Sequence, residues 1–216
     1  MFRKPNLILV SWLCFGMSVK CIAQPFEPKH TVNLELGLPN GFSNSAFKSV
    51  MHGLVSFAPY YQFDFLNQMA IGGGFRYSYF SVDKFKLSTP VSGGMHTAGA
   101  FLKFGWEKFH SDHLATDIGV KIGYSRNYFD TDRNDSLGVN PLKISCFYTE
   151  PTLGLILRVD EQNSYRFFLS YGLSGFSFNP SMIGLQSLGG FDPGSFNKVT
   201  GAIIFGFGYT YDVKKK

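Results

Sequence analysis

The side chains of this 216-residue chain that could do chemistry are five histidines, three cysteines and a scatter of carboxylates. A nucleophilic hydrolase needs a hydroxyl, an imidazole and an acid within reach of one another. His52 and His96 come nearest to supplying the imidazole, but neither stands in a His-x-Ser spacing, and the phases of the segments around them send the two to opposite faces. Both read as interfacial or loop histidines. His110 and His113 flank Asp112 in a short polar stretch. A metal there would need further ligands that the sequence does not place, so a solvated turn is expected. The run DTDRNDSLG sets Asp130, Asp132 and Asn134 at alternate positions, as a calcium loop does, yet Asp135 stands where the sharp-turn glycine belongs and Pro141 where the distal glutamate belongs. It fits a flexible acidic loop, with adventitious divalent binding that bridges lipid phosphates as the alternative. No phosphate-cradling glycine loop, Cys/His cluster or nucleophile elbow is present. The expectation is a protein with no catalytic residue, no cofactor and no metal site.

The segments that must position these residues alternate. Between His96 and Phe109 one side carries Ala98, Ala100, Leu102, Phe104 and Trp106, and the other Thr97, Gly99, Phe101, Lys103, Gly105 and Glu107. The same two-residue period recurs in about eight segments, over 30–38, 53–65, 69–79, 96–109, 114–125, 143–159, 165–174 and 202–212, with short and long connections in turn. Pro59, inside the second segment, removes a ladder donor and favours a bulge. The non-apolar face is mostly Gly, Ser, Thr and Ala with an occasional charge, a poor hydrated exterior but a good barrel interior. The fold class expected is therefore all-β: an eight-stranded antiparallel up-and-down transmembrane β-barrel, greasy outside.

Strand phase then points eleven charges into the lumen: the acids Glu35, Asp64, Glu107, Asp117, Glu150 and Asp212, and the bases Arg76, Lys103, Lys121, Arg158 and Arg166. Near-neutral balance favours mutual pairing over an ion-selective ring. Glu35, Arg76, Lys103, Lys121 and Glu150 fall near mid-height, the others toward the short-turn end. Outward aromatics collect at strand ends, Phe65, Trp106, Tyr165, Tyr209 and Tyr211 on the short-turn side and Tyr79 and Tyr124 on the long-loop side, as girdles would.

Composition agrees: 24 Phe, 11 Tyr and 24 Gly accompany only 16% charged residues. Residues 1–23 read as a signal peptide, with Arg3 and Lys4 before an apolar run from Leu7 to Val19 and Cys21-Ile22-Ala23 before the expected cleavage site. Lys20 stands where a lipobox wants a small residue, which disfavours lipidation at Cys21. The remaining 24–216 form one barrel domain. Without 1–23 the formal charge falls from +5 to +2, with 17 basic and 15 acidic residues, which removes any case for nucleic acid as a partner. Cys146 is then alone and forms no internal disulfide. One long loop is unusually apolar: Met182, Ile183, Leu185, Leu188, Phe191 and Phe196 must bury somewhere. Folding over the barrel mouth with Phe47 and Met51 is one account, and binding a partner or hydrophobic ligand the other.

The leader ending at Ala23, the alternating segments and the last strand GAIIFGFGYTYDV resemble the small outer-membrane β-barrel proteins of Gram-negative bacteria, the OmpA/OmpX-type barrels. In that family the last strand commonly ends on a terminal aromatic, whereas here Tyr211 is followed by Asp212, Val213 and three lysines. The resemblance implies a location in the outer membrane and outer-membrane lipid as a partner. It also implies a monomer that meets a surface ligand or envelope protein through its loops. The expected role is structural or surface-interacting and non-enzymatic, with a narrow porin for small solutes or a lipid-modifying enzyme as alternatives.

Overall fold

The computed structural model describes residues 29–65, 68–139, 141–189 and 193–213, so the expected leader at 1–23 lies outside the described residues. Eight strands run in order: β1 Lys29–Gly41, β2 Met51–Phe65, β3 Met69–Val82, β4 Gly93–Phe109, β5 Leu114–Thr131, β6 Leu142–Arg158, β7 Asn163–Ser174 and β8 Thr200–Asp212. Each pairs antiparallel with its neighbours, and β8 pairs back onto β1 to close the barrel. Short turns join β2 to β3, β4 to β5 and β6 to β7 at one end. In the last of these Asp160 Oδ1 accepts from the amides of Gln162 and Asn163, both at 2.7 Å, an Asx turn that reverses the chain within a few residues. The connections at the other end are long, and two of them carry one helical turn each, α1 Ser45–Val50 and α2 Asp132–Ser136.

Parity along each strand separates the two faces. Phe75 is 70% exposed and Phe147 73%, and Val32, Leu102, Ile118, Leu153 and Phe205 are exposed around the same band. Lys103 and Asp117 in the interior are 0% exposed. Such a band of apolar exterior has no place in water, and closed strands leave no backbone edge for lipid to meet, so the barrel spans a membrane through its strands. Tyr165 and Tyr209 lie side by side at the short-turn rim, 6.1 Å between ring centroids, and Tyr124 packs edge-on against Phe147 toward the opposite rim at 5.2 Å.

Two features depart from the sequence reading. Pro59 makes no bulge: β1 pairs through it, Leu34 with Pro59, and the β2–β3 register is the same on both sides of it. Its missing N–H only interrupts the ladder toward β3. The register shift falls instead between Gly53 and Val55, where a Cβ on Gly53 would lie 1.7 Å from the Pro39 carbonyl oxygen. The strands also run further at the long-loop end than alternation of greasy-out type suggests, β4 from Gly93 and β5 to Thr131. There the polarity inverts: Phe80, Val82, Met95 and Phe129 are buried inside, while Ser81, Asp83, Arg126 and Asp130 occupy the outward positions. Above the bilayer the wall is built like a water-soluble barrel.

Candidate functional site

Inward-facing side chains meet across the lumen, starting from residues that adjacent strands hold opposite one another. Register places Lys121 of β5 beside Glu150 of β6 and Lys103 of β4. Lys121 Nζ donates to Glu35 Oε2 at 2.5 Å and to Glu150 Oε1 at 3.2 Å. Glu150 also accepts from Arg76 Nη1 at 2.5 Å and from Ser170 Oγ at 3.0 Å. A second group forms around Arg166, which donates to Asp117 and, at 3.0 Å, to Glu107. Lys103 Nζ donates to Asp117 Oδ2 and to Gln62 Oε1, both at 2.9 Å, and Gln62 in turn donates to Asp64 and Glu107, both at 2.8 Å.

Tyr60 joins the two groups. Its hydroxyl donates to Glu35 Oε1 at 2.9 Å and accepts from Lys103 Nζ at 3.3 Å, and Arg166 Nη1 lies 4.0 Å from Glu35 Oε1. The two levels that strand direction separates are thus linked: long Lys and Arg stems reach along the axis of a tilted barrel and tie them together. The Lys121 ammonium is further boxed by the rings of Phe101 at 5.4 Å, Tyr60 at 5.7 Å and Phe168 at 5.7 Å. Arg158 and Asp212 do not join. Both sit at the short-turn rim without an ion pair within 4.0 Å among the described residues, and the Arg158 guanidinium lies over the Phe109 ring at 4.8 Å. The sequence reading missed Tyr60, the central connector, because Pro59-Tyr60-Tyr61 offers no polarity contrast from which to read its phase.

Within this network every cation meets at least one carboxylate, so the buried charges offset one another. No family profile and no curated protein matches the chain. Among solved structures it is similar to the Neisserial surface protein A, at 12% identity over 86% of this chain and 99% of that one, with a TM-score of 0.52. It is likewise similar to the outer membrane protein OprG of Pseudomonas aeruginosa, at 10% identity over 87% and 96%, with a TM-score of 0.52. The fold is that of the small outer-membrane β-barrels.

The mouth of this outer-membrane barrel, at the long-loop end, is packed with apolar side chains. Met182, Ile183, Leu185 and Leu188 are buried with Phe47, Met51, Phe129 and Phe178, and the buried Cys146 belongs to the same cluster; Phe191 lies outside the described residues. Asn44 fastens the first long loop to the fourth. Its Oδ1 accepts from the Phe47 amide at 2.9 Å, capping α1, and its Nδ2 donates to the carbonyls of Lys198 at 2.9 Å and Phe178 at 3.3 Å.

All five histidines stand near strand ends. His52 and His96 share the outer face, not opposite ones, because the register shift after Gly53 restores His52 to the lipid side. His96 Nδ1 meets the Tyr77 hydroxyl at 2.8 Å and its ring lies 4.6 Å from that of Tyr79. His52 Nε2 meets Asp83 Oδ2 at 2.8 Å, and that hydrogen bond holds the Asp83 carboxyl below the usual carboxylate range. His110 is bonded to Thr116 at 2.8 Å within its own hairpin. In the acidic loop Asp132 Oδ1 accepts from the Ser92 amide at 3.0 Å and opens α2, so it braces two loops.

Proposed function

We propose that the chain is a monomeric, non-enzymatic outer-membrane barrel with a closed lumen, acting as a structural or surface-interaction protein through its long loops. One observation carries this reading: the continuous network from Arg76 through Glu150, Lys121, Glu35 and Tyr60 to Lys103, Asp117 and Arg166, set beneath the apolar mouth. Two barriers of opposite character in series oppose both ions and water. Planar-bilayer recording of the purified protein tests it, the expected result being baseline conductance. Large, stable open channels would establish the narrow porin instead.

A second reading, a lipid-modifying enzyme, has one observation in its favour. His52 is hydrogen-bonded to Asp83 at the outer rim, and Ser81 stands directly opposite His52 in the β2–β3 register. Asp83, however, also accepts from the Phe85 amide at 3.1 Å and pairs with Lys86 at 3.5 Å, the work of a loop brace. Mass analysis of lipid A from cells with and without the protein separates the two: identical lipid A profiles leave the non-enzymatic reading standing.

A further inference from the structure

The strongest unassigned feature is on the outer wall, at the height where the apolar band of β5 and β6 ends. The inward residues Ser125, Asn127 and Cys146 are buried and contact one another. Parity therefore turns Arg126, Tyr128, Lys143 and Ser145 outward, and register sets Arg126 opposite Ser145 and Tyr128 opposite Lys143. Immediately below them, toward the membrane, lie Tyr124 and Phe147, which pair across the same two strands and form the edge-on contact described above. Arg126, Lys143 and Ser145 are exposed. The interior cations Arg76, Lys103, Lys121 and Arg166 all have carboxylate partners, but neither Arg126 nor Lys143 has an ion-pair partner within 4.0 Å among the described residues. Asp130 takes the next outward position on β5 beyond Tyr128, so negative charge bounds the patch above while it stays open toward the bilayer.

The geometry points to a phosphate seat formed by Arg126, Lys143, Tyr128 and Ser145 that holds the phosphorylated headgroup of an outer-leaflet glycolipid. A planar guanidinium, an ammonium and two hydroxyls supply donors from several directions, which suits the tetrahedral oxygens of phosphate better than a planar carboxylate. A phosphomonoester carries roughly two negative charges near neutral pH, matched by the two cations. Height decides the source. The seat lies on the outer wall just above the hydrocarbon band, one outward position above exposed aromatics that acyl chains and sugar rings cover, and on the long-loop side, which faces the cell exterior in such barrels. A headgroup anchored in that leaflet arrives there without leaving the membrane. The inference rests on the membrane placement and not on the closed lumen, so its failure would leave the conductance reading untouched.

Native mass spectrometry of the full protein released from detergent tests this seat, using bis-phosphorylated lipid A, the same lipid A after phosphatase treatment, and phosphatidylglycerol. Wild-type protein is expected to retain phosphorylated lipid A. Retention should fall by about tenfold or more in the Arg126→Gln/Lys143→Gln double variant, and likewise for wild type with dephosphorylated lipid A. Equal retention by the double variant, or of dephosphorylated lipid A, would overturn the seat. Phosphatidylglycerol held as tightly, or lipid A displaced by millimolar inorganic phosphate, would overturn the glycolipid as its ligand. The lipid arms use wild-type protein alone, so they decide the matter even if the double variant does not fold.

Discussion

Arg166 touches Asp117, Glu107 and Glu35 at once, and through them the other members of the charge network. Removing it leaves Glu107 without its cation and leaves Asp117 and Glu35 with one cation fewer, so buried carboxylate charge goes undercompensated, which is far costlier than the pairs were stabilising. Arg166→Met should therefore destabilise the barrel by about 3–5 kcal/mol, read as a lower urea midpoint in micelles. Arg158→Met, at the rim and with no ion-pair partner within 4.0 Å among the described residues, should stay within about 1 kcal/mol of wild type. At the outer surface the His52–Asp83 contact gives a pH signature. Because Asp83 titrates below the ordinary carboxylate range in the folded protein, the contribution of the contact is complete above that range. It is lost as the pH falls through the depressed folded value. His52→Ala should move the Asp83 titration, followed by carbon NMR, upward toward the ordinary carboxylate value; an unmoved titration would show that the imidazole is not its cause.

Among the elements, the first long loop and α1 depend on Asn44, which is fully buried and bonded to three backbone groups. Asn44→Ala strands two carbonyls and a helix amide, and should cost about 1–3 kcal/mol, localised to the mouth. The expected readout is new protease cleavage in the first and fourth long loops with the strands still protected. Gly53 is constrained by β1, since any Cβ there would collide with the Pro39 backbone. Gly53→Ala should lower stability by roughly 1–3 kcal/mol or shift the β2 register, visible in hydrogen exchange at the β1–β2 ladder. Strand order and facing were legible because lipid outside and charge inside give a contrast at every second residue, as in Leu102 against Lys103. The contrast reverses past Tyr79 and Tyr124, where the inner neighbour is an apolar mouth and the outer one water. Phe129 inside and Asp130 outside therefore read as loop although they continue β5. His52 was misplaced for a related reason: a shift of one residue at Gly53 leaves no mark in composition.

For the whole molecule, the alternation in the chain displays which charges turn inward, but not which of them meet. Partner choice depends on side-chain reach across a closed cylinder, and that is why Arg166 binds Asp117 while Arg158 settles over Phe109. For the apolar fourth loop the sequence leaves two destinations open, the barrel mouth with Phe47 and Met51 or a partner, and in the closed barrel Met182, Ile183, Leu185 and Leu188 cluster with Phe47 and Met51. Deleting 182–191 exposes Phe47, Phe129 and Phe178 to water and should reduce recovery of the heat-modifiable folded form. In the molecules that do fold, the charge network below should hold conductance at baseline.

The outward change from Tyr124 to Arg126, and from Tyr79 through Ser81 to Asp83, also sets how high hydrocarbon can rise on the long-loop side. A leaflet too deep would press hydrocarbon onto a guanidinium and a carboxylate, and one too shallow would strand tyrosine rings in bulk solvent. Each ångström of mismatch costs a fraction of a kcal/mol, about as much as local thinning of the lipid. A stiff, cross-braced cylinder does not yield first, so the surrounding bilayer must adjust its depth to the protein.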